Sequence, residues 1–133
     1  MITPGSLTLR AYRWQPYVET LDFVGYDFTG ATMAMQLRLY PDATGSSLLS
    51  LVNASSALQG LSVAVVTTGG VPTSTVQIRI DETTLEALLP WPASGLKPGE
   101  DLTLYHDLVI TGGGLPKTRW LQGPFILTPG VTQ

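Results

Sequence analysis

Cysteine is absent from the 133-residue chain, so disulfides and thiolate metal sites are excluded, and redox compartment cannot be inferred from cysteine usage. Histidine occurs once, at His106. Charge is sparse: Asp, Glu, Lys and Arg make up 13% of residues, about half the usual share. No run of basic residues exists, because Arg10, Arg13, Arg38, Arg79, Lys97, Lys117 and Arg119 are dispersed along the chain. Together with a net charge of −3, this argues against nucleic acid as a partner, since phosphate binding needs a basic patch. The longest apolar run, Leu61 to Val66, is broken by Ser62 and is far too short to cross a bilayer, so no membrane partner is expected. The first residues, Met1 to Ser6, have no basic region and no apolar stretch of signal-peptide length, and the expectation is a soluble protein made in the bacterial cytoplasm.

Catalytic signatures are equally scarce. His106 adjoins Asp107, but neighbours on a strand point to opposite faces, so the two cannot pair side chain to side chain, and no GxSxG elbow accompanies them. Asp81, Glu82 and Glu86 form the densest acidic group, which a helix N-terminus explains without a metal. Gly112–Gly114 lacks the context of a phosphate loop and reads as a hairpin turn. No enzyme activity, catalytic residue, metal or cofactor is expected, although unmarked carboxylates keep a small hydrolase as a distant alternative.

What is present is strand grammar. From Thr32 the chain alternates strictly, with Met33, Met35, Leu37 and Leu39 on one face and Thr32, Ala34, Gln36, Arg38 and Tyr40 on the other, the period of a half-buried strand. Further strands are predicted over 6–14, 17–23, 61–66, 76–80 and 102–110, with a short strand or a single helical turn at 47–52. A closing strand is predicted over 117–122 and 124–127, with Gly123 at a bulge or bend. In the strand at 102–110, Leu102, Leu104, His106, Leu108 and Ile110 share one face. Only 81–89 changes period: Leu85, Leu88 and Leu89 fall at helical spacing, Thr83 and Glu86 have the spacing of a capping box, and Pro90 stops the helix. Seven or eight short strands joined by glycine turns, with one short helix near 82–89, predict one domain over 1–133. Its expected class is an all-β, antiparallel two-layer β-sandwich of immunoglobulin-like type, with a closed barrel as the runner-up.

The aromatic residues are the remaining candidates for contact. Most are expected to pack in the core, and Trp91, held between prolines, is the one expected to be most exposed. Trp14, Tyr17 and Trp91 are the candidate interface residues.

Read in order, several segments resemble the small immunoglobulin-like domains of bacteriophage and prophage tail proteins, including N-terminal domains of baseplate and tail-fibre components. The motifs are Asp27-Phe28-Thr29-Gly30, Met35-Gln36-Leu37-Arg38, the strand Val76–Ile80 with its helical turn, Tyr105-His106-Asp107-Leu108, Arg119-Trp120-Leu121-Gln122-Gly123, and Pro129-Gly130-Val131-Thr132. Two features depart from that pattern: Trp14-Gln15-Pro16-Tyr17 stands where such domains often carry Gly-Asp-Thr, and no fibre or receptor-binding region follows in this sequence. The resemblance implies a non-enzymatic virion structural protein, a tail or baseplate subunit or connector. It would assemble with other tail proteins or as a homo-oligomer. A carbohydrate-binding or adhesin-like module is the alternative, which an exposed row of coplanar aromatics would favour.

Overall fold

The computed structural model describes residues 2–88, 95 and 97–131. Its elements in chain order are β1 (Gly5–Ser6), β2 (Leu9–Tyr12), β3 (Tyr17–Val24), β4 (Thr32–Arg38), β5 (Leu49–Val52), β6 (Gly60–Thr68), β7 (Val71–Ile80), α1 (Glu82–Ala87), β8 (Leu102–Gly112) and β9 (Leu115–Thr128). They form two sheets: a larger one in which β9, β8, β4 and β5 are neighbours in that order, and a smaller one ordered β3–β7–β6. All pairings among these strands are antiparallel, but β1 and β2 run parallel to β9, along its outer side one after the other. The architecture is an all-β sandwich with immunoglobulin-like strand order, in which the first strand has crossed to the sheet of the last.

Alternation decides which side chains lie between the sheets. Met33, Met35 and Leu37 of β4 face Val76, Ile78 and Ile80 of β7 across a core completed by Leu104, Leu108, Ile110, Phe125 and Leu127. Phe28 anchors one end, with Phe23, Tyr26 and Trp120 around it at ring-centroid distances of 5.4, 5.9 and 5.5 Å. The Asp-Phe-Thr-Gly segment is the turn that delivers it: Thr29 donates from both its backbone N–H (3.0 Å) and its hydroxyl (2.6 Å) to Asp27 Oδ1. Both bonds favour the charged carboxylate and hold the Asp27 pKa below its ordinary value.

Three local expectations are corrected and one alternative is decided. Leu39 is 44% exposed rather than buried, because β4 ends at Arg38. There the guanidinium leaves the sheet to donate to the carbonyls of Ala43 (2.9 Å) and Gly45 (2.7 Å). Residues 49–52 are a strand, held by pairing to β4. The helix begins at Glu82 with Asp81 as N-cap, so Thr83 and Glu86 lie inside it and form no capping box. Its last carbonyls are met instead by Arg13, whose guanidinium donates to Leu88 O at 2.6 Å and Glu86 O at 3.4 Å. The irregularities in β9 fall at Trp120, where pairing with β8 skips from Leu121 to Arg119, and again between Thr118 and Leu115. Gly123 keeps its place in the ladder, opposite His106.

Two polar side chains tie the sandwich together. Ser74, fully buried on β7, accepts from Phe28 N–H at 2.9 Å and donates to Tyr26 O at 2.7 Å, pinning the turn that carries the aromatic cluster. Asn53 follows the end of β5 and continues its ladder with its amide: Oδ1 accepts from Met33 N–H at 2.7 Å and Nδ2 donates to Ala31 O at 2.8 Å. The next residue, Ala54, donates to Leu61 O at 2.9 Å, so residues 53–54 pass the chain from one sheet to the other.

Candidate assembly surface

Of the sequence candidates that the structure describes, Tyr17 and Trp14 lie in different surroundings. Tyr17 is 6% exposed, its ring edge-on to Phe125 at 5.4 Å, so it is a core residue and not a surface anchor. Its hydroxyl is buried without a hydrogen-bond partner, and burial, with the nearby charge of Glu19, pushes its pKa well above the ordinary value. Trp14 is 36% exposed at a turn with φ of 76°, its indole lying against Gly130. Trp91 lies outside the described residues.

His106 is 4% exposed on the core face of β8, while Asp107 points outward and meets Arg119 at 3.5 Å. The imidazole Nε2 bonds Leu7 O at 2.8 Å, which places the proton on that nitrogen, and Nδ1 has no partner. Desolvation lowers the His106 pKa, outweighing the Leu7 bond and the Asp107 charge, which both act to raise it. A neutral, buried imidazole that fastens the Leu7 crossover to β8 is a structural group. Among the described residues no three His, Asp or Glu side chains are grouped to hold a metal ion. No described helix is long and apolar enough to cross a membrane.

The outer face of the larger sheet carries a depression of about 370 Å³ beside Gln36, Arg38, Tyr105, Asp107, Arg119 and Gln122. Its polar groups are largely engaged with one another: Arg119 reaches Asp107 and, at 3.3 Å, Gln122 Oε1, and Arg38 Nη2 meets Gln36 Oε1 at 3.1 Å. Tyr40 and Tyr105 are exposed near it. The aromatic rings found in mutual contact are Tyr17 with Phe125 and the Phe23–Tyr26–Phe28–Trp120 cluster, all packed with the core. The described residues therefore present no row of stacked aromatics on a sheet face.

The strand edges differ from one another in a way that alternation alone does not reveal. An open edge presents unpaired N–H and C=O groups, and most proteins blunt it with charge, proline, a bulge or brevity. The β1/β2 edge is interrupted at Leu7–Thr8 and carries Pro4 and Arg10. On β3, Glu19 shares the register of Tyr17, Leu21 and Phe23 yet is exposed, and Asp22 puts a second charge on the opposite face of this edge strand. The β5 edge is only four residues long. By contrast β6, Gly-Leu-Ser-Val-Ala-Val-Val-Thr-Thr, has nine residues and no charge, proline or register shift against β7. Nothing in the sequence pattern of 61–66 distinguished this edge strand from a central one; its position in the sheet order does.

No known family model and no curated protein matches the chain.

Proposed function

We propose that this protein is a non-enzymatic structural subunit that works by protein–protein assembly, specifically a tail or baseplate component or connector of a phage or prophage virion. The observation that carries the assembly reading is the unguarded β6 edge, a liability in a free monomer that a neighbouring subunit removes. Low charge and the extent of exposed Val, Thr and Ala on the small sheet agree with a surface that is partly covered in use. The tail assignment draws on the order of the turn and strand motifs along the chain, several of which have structural tasks: the Asp27–Gly30 turn seats Phe28, and Gly123 receives the Leu7 crossover.

Light scattering across a concentration series tests the assembly reading. A defined oligomer is expected, and a strict monomer at every concentration refutes it. Immunogold labelling of purified particles tests the location; label confined to tails is expected, and particles free of the chain refute it.

The second reading, a carbohydrate-binding module, takes its support from the depression beside Tyr40, Tyr105, Asp107 and Arg119. A glycan screen in which binding is lost in Asp107→Ala would establish it.

A further inference from the structure

The hydrogen-bond phase of β6 shows which of its backbone groups are open. In an antiparallel ladder, alternate residues bond the neighbouring strand and the others point away. Leu61 O accepts from Ala54 N–H, on the side away from β7, so Leu61 belongs to the outward set. Val63, Val65 and Thr67 share its phase. At the far end Thr68 and Val71 close the hairpin around Gly69 and Gly70, whose φ values of 59° and 81° are those of a tight primed turn. The open stretch therefore runs from Val63 to Thr67, bounded by the 53–54 segment on one side and the turn on the other. Its midpoint is Val65.

Resting on the assembly reading, we infer that the occupant of this edge is the β6 strand of a second copy, paired antiparallel about a two-fold axis at Val65. That register sets Val65 against Val65 and Val63 against Thr67, and the outward N–H and C=O groups of the three residues form about six backbone bonds. On the outer face Val66, largely exposed in the monomer, meets the second copy's Ala64. The two small sheets become one continuous sheet of six strands with an uncharged seam. Self-complementarity argues for a second copy: the open stretch is neutral and pairs with itself around its own midpoint. Self-pairing of β3 would instead bring the acidic Glu19 and Asp22 of two copies onto one seam.

The absence of native cysteine makes the test direct. In a hydrogen-bonded antiparallel pair the Cα atoms lie about 5.5 Å apart, within disulfide range. Full-length Val65→Cys is expected to convert most of the protein to a cross-linked dimer under mild oxidation, and Asp22→Cys on the β3 edge is not. Val65→Pro provides the second variant. The Val65 N–H has no partner within the monomer, so the circular dichroism spectrum should be retained while the dimer dissociation constant rises about tenfold or more. Oligomers that persist without cross-linking at position 65 overturn this interface and leave the assembly reading standing. A monomer at every concentration overturns both. Unchanged association in a folded Val65→Pro variant also overturns the interface.

Discussion

Replacing Gly123 by alanine should damage this domain far more than its position near the end of the chain suggests. Gly123 stands opposite His106, and the backbone of Leu7 crosses directly over it. A Cβ there would sit 3.1 Å from Leu7 C and 3.2 Å from Leu7 N, and closer still to Leu7 O, in every case against backbone that has no rotamer to yield. The Gly123 φ of 149° adds strain for any other residue. Relief requires Leu7 to lift away, which breaks the bond between His106 Nε2 and Leu7 O (2.8 Å) and stretches the one from Leu7 N–H to Gln122 O (2.9 Å). An orphaned buried imidazole N–H costs about 1–3 kcal/mol and a weakened backbone bond about 1. Backbone strain contributes about 1–2 kcal/mol, and the lower entropy of the unfolded alanine chain returns about 0.4–1. The expected net loss is about 3–4 kcal/mol, a large part of the 5–15 typical of a domain. Urea unfolding measures it, and hydrogen exchange at the Leu7 amide localises it. A loss below about 1 kcal/mol with Leu7 protection unchanged would refute the argument that this glycine is a seat for the crossover.

Asn53→Ala strands Met33 N–H and Ala31 O at the sheet edge and should cost about 1–3 kcal/mol in urea unfolding; a neutral result would mean that water replaces the amide there. Tyr17→Phe removes a buried hydroxyl that has no partner, so thermal unfolding should show unchanged or slightly higher stability, by up to about 1 kcal/mol, and a clear loss would reveal a bond to that hydroxyl. Stability should also fall as pH drops below about 6.5, the ordinary histidine value, because the unfolded chain takes up a proton that buried His106 resists; above it both states are neutral and the effect vanishes. Comparing thermal midpoints at pH 7.5 and 5.5 for the native chain and His106→Gln checks this, and an identical pH response in the two proteins would contradict it.

The sequence by itself determined which side chains turn inward. The period of two assigns Met33, Met35 and Leu37, then Val76, Ile78 and Ile80, then Leu102 to Ile110 to the core, and all are buried. It also located α1 and both glycine hairpins, because backbone freedom and hydrophobic spacing are local properties. Where a strand stops is less local: Leu39 keeps the alternation but loses burial, since β4 ends at Arg38, whose guanidinium turns to carbonyls of the following turn. Tyr17 was expected at an interface, and only the arrival of Phe125, more than a hundred residues later, makes its face of the strand the interior. Tertiary structure alone decided that β1 and β2 lie parallel to β9, that Ser74 and Asn53 meet distant backbone groups, and that β6 is an edge. Edge and centre are relations among strands, and the same residues satisfy either until their neighbours are in place.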